Sequence, residues 1–147
     1  MSIEKVLYQA RAKATGGGRD DGRTVSSDGA LDVQLTRPRE MGGPGGAGTN
    51  PEQLFAAGYA ACFGNAVLHV ARQQKIAIKD ADVEIDAEVG ILPRAEGGFK
   101  LEVSLSAILN GVDQATAEKL VHTAHQVCPY SNATRGNIDV ALSVQTR

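Results

Sequence analysis

Residues 83–109 read VEIDAEVGILPRAEGGFKLEVSLSAIL. In the first half Val83, Ile85, Ala87 and Val89 alternate with Glu84, Asp86 and Glu88. In the second half Phe99, Leu101, Val103, Leu105, Ala107 and Leu109 alternate with polar residues almost throughout. A period of two marks a strand with one face against a core. Pro93 to Gly98 supplies the turn between them, which makes the stretch a hairpin. Strands joined by a turn rather than by a helix argue for an α+β fold and against a parallel α/β one.

Downstream, Asn110-Gly111-Val112-Asp113 caps a helix over roughly Gln114 to Val127. Its apolar stripe is Ala117, Leu120, Val121, Ala124 and Cys128, at helical spacing. Pro129 marks the end of that helix. Ile138, Val140, Leu142 and Val144 then alternate as a last strand. Upstream, Thr49-Asn50-Pro51-Glu52 is a helix start: Asn50 suits the N-cap because Pro51 follows it, and Pro51 suits N1. This helix runs to about Gln74, and from Leu54 to Val70 it carries no charge. It is rich in alanine and reads as a buried helix rather than a bilayer span. A helix apolar on every face needs cover all round. One sheet covers one side only, so the remaining side must meet the second helix or a partner chain, and a homodimer is expected.

The first third reads as an antiparallel meander. Val6, Tyr8, Ala10 and Ala12 share one parity over residues 4–14. A glycine-rich turn follows over Thr15 to Gly22, then a short strand over Thr24 to Ser27. Asp28-Gly29 is a hairpin signal, and Leu31, Val33 and Leu35 alternate after it. The expected order is β-β-β-α-β-β-α-β in a single domain over residues 1–147.

Bulk properties narrow the function. The 147 residues are 42% hydrophobic and 22% charged, with a net charge of −2 and a pI near 5.9. There is no basic block, and therefore no electrostatic case for nucleic acid or an anionic membrane. The start of the chain lacks a charged region followed by an apolar one, so a cytoplasmic protein without membrane insertion is expected. The run Gly43 to Gly48 formally matches G-x-G-x-x-G, but a dinucleotide site also needs a βαβ unit, which the hairpin after the helix denies it. His122, His125 and Cys128 drift around their helix with no second cluster to complete a zinc site, so no metal is expected.

Two cysteines remain, Cys62 in the uncharged helix and Cys128 at the end of the second. The ordinary reading is two buried cysteines acting as small hydrophobes. The chemical reading is a thiol peroxidase. It needs a thiolate, a cation to stabilise it, and a second thiol to trap the sulfenic acid. Burial alone would make the thiol inert. Arg19 and Arg23, on the glycine-rich loop, are the candidate cations.

Two long stretches are now recognisable. Gly48-Thr49-Asn50-Pro51-Glu52-Gln53-Leu54-Phe55-Ala56-Ala57-Gly58-Tyr59-Ala60-Ala61-Cys62-Phe63 resembles the signature of organic hydroperoxide resistance proteins, within the superfamily of osmotically inducible protein C. Val127-Cys128-Pro129-Tyr130-Ser131-Asn132-Ala133-Thr134-Arg135-Gly136-Asn137-Ile138 is similar to that family's second signature, and Ala14-Thr15-Gly16-Gly17, Arg19 and Val25 to Gly29 also match. The resemblance covers nearly the whole chain.

It implies an intertwined homodimer with antiparallel sheets around two central helices. It further implies that Cys62 is the peroxidatic and Cys128 the resolving cysteine, paired as a disulfide in the cycle. Arg19 matches the catalytic arginine and Glu52 the glutamate that holds it. The loop Gly16-Gly17-Gly18-Arg19-Asp20-Asp21-Gly22-Arg23 is longer than the family's, so Arg23 remains an alternative. The implied substrates are organic hydroperoxides. The implied reductant is a lipoyl dithiol on a lipoylated protein, with no bound cofactor. Phe55 and Tyr130 are candidates to line the substrate pocket. A non-catalytic redox sensor or a structural dimer with inert cysteines are the competing readings, and repeated turnover of a hydroperoxide separates them.

Overall fold

The computed structural model describes residues 4–17 and 20–147. They form two compact units, Met1–Pro51 and Glu52–Arg147.

The first unit is a three-stranded antiparallel sheet of β1 (Ala12–Thr15), β2 (Arg23–Ser26) and β3 (Asp32–Gln34). The β2–β3 turn is built by Asp28, whose carboxylate accepts from Ser26 Oγ at 2.7 Å and Ala30 N at 3.0 Å. Gly29 follows in the left-handed region at φ 77°, where a side chain would be strained. The strand expected over residues 4–14 is shorter than its pattern. The ladder stops where Ala12 meets Ser26, with one further bond from Ser27 N to the Arg11 carbonyl at 2.8 Å, because the chain then enters the Asp28-Gly29 turn. Val6, Leu7 and Tyr8 stand exposed as a result.

The second unit holds the long helix α1 (Pro51–Gln73, beginning at the boundary), the hairpin β4 (Val83–Pro93) and β5 (Phe99–Leu109), α2 (Gln114–Val127), a short α3 (Pro129–Thr134) and β6 (Ala141–Thr146). The hairpin has the expected register, from Val83 opposite Leu109 to Pro93 opposite Phe99. Asp113 caps α2 by accepting from Thr116 N at 2.8 Å.

Three expectations are corrected. The sheet is not wholly antiparallel, because β6 pairs parallel to β5, from Ser104 opposite Ala141 to Leu109 opposite Thr146. The reason is the connection: α2 carries the chain back along the sheet, and a strand after such a crossover re-enters in the direction of the one before it. There are three helices rather than two, since Pro129 ends one helix and begins another. The last strand runs Ala141–Thr146, and Ile138 falls before it.

The core of this unit is assembled from three apolar stripes. Tyr59, Phe63, Ala66, Val67 and Val70 come from α1, Ala117, Leu120, Val121 and Ala124 from α2, and Val103, Leu105, Ala107 and Leu109 from β5. By length and composition alone α1 is apolar enough to cross a membrane. Here its aromatic and valine stripe packs in this core, while Gln53, Ala57, Ala61, Asn65 and His69, four residues apart on the opposite face, are exposed in the single chain. Leu120 lies at the centre with no exposure. Leu120→Ala should cost about 2–5 kcal/mol of stability in urea denaturation, through lost transfer energy and the cavity left behind.

Candidate functional site

Phe55, Tyr59 and Cys62 lie at i, i+4 and i+7 on α1 and therefore share one face of it. That face meets the elbow where α2 stops and α3 starts. Cys128 is both the last cap of α2 and the first cap of α3, with extended backbone at φ −62° and ψ 126°. A residue before proline is pushed out of the helical region, so Pro129 dictates this break. The break delivers Cys128 to Cys62. The thiol of Cys128 donates to Cys62 Sγ at 3.5 Å, and both cysteines are free. Cys128 is fully buried, whereas Cys62 is half-buried.

The electrostatics at Cys62 pull in two directions. Burial pushes its thiol up from the ordinary range, since a buried thiolate loses hydration. The backbone N–H of Tyr130 hydrogen-bonds the sulfur and pulls it down, and the neighbouring Cys128 raises it again. The net direction is upward, and among the described residues of this unit no cation opposes it.

Behind the sulfurs runs a buried polar chain that sequence reasoning missed. Tyr59 Oη lies 2.8 Å from Ser131 Oγ and 3.3 Å from Thr134 Oγ1. Ser131 Oγ lies 2.7 Å from His125 Nδ1, and Thr134 Oγ1 donates to the Ser131 carbonyl at 3.1 Å. Arg135 closes the elbow from outside by donating to the His125 carbonyl at 2.5 Å. The available signal was polar residues at apolar spacing: Tyr59 is one turn before Cys62 on the buried face, and His125 and Ser131 flank Cys128 by three residues each.

Phe55 and Tyr130, the candidates to line a substrate pocket, pack against each other. Their rings are 6.3 Å apart in an edge-on arrangement, and Tyr59 lies 5.6 Å from Tyr130. Gly58 permits this packing, because a Cβ there would sit 2.8 Å from Tyr130 Oη and 3.2 Å from its ring. Phe55 also borders an open groove of about 560 Å³ with Phe99, Leu101 and Ile138.

The remaining expected residues are placed elsewhere. Glu52 lies in the first turn of α1. Ten residues separate it from Cys62, or about 15 Å along the axis at 1.5 Å per residue. Arg19 lies outside the described residues. Arg23 donates to Asp32 at 2.7 Å across the β2–β3 pair, so that guanidinium already has a carboxylate partner. Asp20, next to Arg19 in the chain, accepts both Nε and Nη2 of Arg37 at 3.0 Å. His122 and His125 form no metal group with other residues among those described.

Comparison with known proteins gives concordant matches. The OsmC-like protein family matches residues 43–143. An organic hydroperoxide resistance protein of Xanthomonas axonopodis pv. citri is 59% identical over 143 residues, 97% of this chain and 98% of that protein. The crystal structure of an organic hydroperoxide resistance protein from Legionella pneumophila superposes with a TM-score of 0.89 at 54% identity, covering 96% of this chain and 99% of that one. OhrB of Bacillus subtilis superposes with a TM-score of 0.83 at 45% identity, covering 95% and 100%.

The polar chain makes stability depend on pH in a stated direction. Burial, then the charges of Arg135 and His122, lower the His125 pKa below its ordinary 6.5. The unfolded chain therefore takes up this proton more readily than the folded one. The contribution is fully present above the unfolded value and is lost as pH falls through the folded value. Denaturation midpoints should fall between pH ~7.5 and ~5.5 in the wild type and fall less in His125→Gln, which carries no titrating group there.

Proposed function

The chain belongs to the OsmC-like protein family, and from that membership we propose that it is a cysteine peroxidase reducing organic hydroperoxides in the cytoplasm as part of an oxidative-stress response. The observation that carries the reading is the 3.5 Å approach of Cys62 and Cys128 on two different elements. Free cysteines acting only as small core hydrophobes need not meet, whereas a nucleophile and its resolving partner must.

In this reading the Cys62 thiolate attacks the terminal oxygen of the peroxide. The O–O bond breaks, the alkoxide leaves and takes a proton to become the alcohol, and Cys62 is left as a sulfenic acid. The sulfur of Cys128 then attacks Cys62. A disulfide forms, and the hydroxyl leaves with the Cys128 proton as water. A dihydrolipoyl group on a lipoylated protein reduces the disulfide and is itself oxidised to the cyclic disulfide. No bound metal or cofactor takes part. The aromatic wall of Phe55 and Tyr130 favours alkyl and lipid hydroperoxides over hydrogen peroxide, since each buried CH₂ is worth about 0.8 kcal/mol.

A thiol raised by burial needs a cation to ionise near neutral pH. We assign that role to Arg19, held by Glu52. The Arg23–Asp32 ion pair favours this choice over Arg23. Glu52 is nearly three turns from Cys62 on the same helix, too far for one guanidinium to touch both. The arginine–glutamate pair serving a given Cys62 is therefore the one a second copy of the chain would bring, which suits a homodimer built on the exposed face of α1.

Cys62→Ser should abolish lipoamide-coupled consumption of cumene hydroperoxide. Cys128→Ser should allow one attack and then accumulate Cys62 sulfinic acid, read by mass spectrometry. Arg19→Ala should slow the first attack by ~10²-fold or more, the scale of losing a donor to developing negative charge. Arg23→Ala should leave it within about twofold, as expected of an exposed ion pair. The reverse order of the two arginine variants would move the assignment to Arg23. Mixing inactive Cys62→Ser and Glu52→Ala chains should restore activity if sites are shared between copies, and no restoration would refute the sharing.

A further inference from the structure

Each sulfur is flanked, three residues away, by a member of one buried hydrogen-bond chain. Tyr59 precedes Cys62 by three residues on α1. His125 precedes Cys128 by three on α2, and Ser131 follows it by three on α3. Ser131 Oγ is the junction, 2.8 Å from Tyr59 Oη and 2.7 Å from His125 Nδ1. Tyr59 and Ser131 are fully buried, so the bond between them is shielded from competing water, while the Ser131–His125 bond is part-buried. The Ser131–His125 bond fixes the bend between α2 and α3, and the Tyr59–Ser131 bond fixes that bend to α1. Cys128 sits at the apex and has no strong polar anchor of its own side chain beyond the contact with Cys62.

We propose that the Tyr59–Ser131–His125 chain is the positioning device of the resolving step: it holds the elbow in register, so that Cys128 captures the Cys62 sulfenic acid before a second peroxide does. The proposal rests on the disulfide cycle described above. Bond formation requires the sulfurs to close from 3.5 Å to about 2.05 Å. A tethered elbow needs only that small approach, whereas a loose one must first be ordered. The three residues touch neither peroxide nor the reacting oxygen. They act through the elbow that carries Cys128.

The test uses Tyr59→Phe, which keeps the ring and removes only the hydroxyl, with Ser131→Ala as a second variant should the first not fold. Two readouts are taken. The first is the equilibrium between the dithiol and the Cys62–Cys128 disulfide in a dithiothreitol redox buffer, which needs no peroxide. The second is the fraction of Cys62 sulfinic acid formed at graded cumene hydroperoxide.

The disulfide equilibrium constant should fall about five- to tenfold, the effect of losing one or two neutral hydrogen bonds. The sulfinic fraction formed per first attack should rise to match. His125→Asn, which retains a polar partner for Ser131, should lie near wild type, and His125→Phe should behave like Tyr59→Phe. Wild-type values of both readouts in Tyr59→Phe and His125→Phe would overturn the proposal, as would a lower melting temperature with an unmoved disulfide equilibrium. A wild type that turns over no hydroperoxide yet shows the expected shift in redox buffer would uphold the positioning and refute the peroxidase.

Discussion

The break in the chain at Cys128 is the constraint on which the site depends. Had α2 continued, residue 128 would have stayed in the helical ladder, and the next turn would have moved away from α1. Pro129 prevents this twice over. It forces Cys128 into extended backbone, and it opens α3 in a position where its missing N–H costs nothing. Two short directions of chain then meet at one residue. Its sulfur, the Tyr130 N–H beyond it and the Tyr130 ring all converge on one face of α1. Gly58 completes the fit by leaving room for the ring.

Burial of that convergence has opposing effects. Removal from water strengthens each hydrogen bond of the polar chain. The same dryness disfavours the thiolate on which nucleophilic attack depends. One backbone N–H does not offset that penalty. Among the described residues of the second unit no cation beside Cys62 offsets it either.

How much of this was legible in the sequence follows from what kind of signal each feature leaves. The β4–β5 hairpin leaves a period of two on either side of its turn, and the structure has both strands, with Pro93 paired to Phe99 rather than in the turn. The start of α1 at Pro51 and the Asp113 cap leave equally local signals. The approach of the cysteines was conditional on a helix crossing that no local pattern encodes. The parallel direction of β6 was missed because alternation gives a strand but not its heading. Residues 129–134 were read only as the stop after α2, because proline is a signal for both an end and a beginning. The buried polar chain was invisible for a related reason: tyrosine, histidine and serine at those positions look like ordinary helix residues until tertiary packing brings all three to one point.

The parallel pairing of β5 with β6 has a consequence for the chain as it is made. Residues 110–140, elbow included, form the crossover between those strands, so closing the sheet means closing a loop of that length, an entropic cost met only by the last strand. Synthesis proceeds from the N-terminus, and α1 emerges long before Thr146. The crossover packs on α1 through its own core residues and the Tyr59–Ser131 bond, whereas the edge of β5 waits for the C-terminal strand. A nascent or C-terminally clipped chain thus leaves β5 as an unpaired edge, a row of free backbone groups open to another chain.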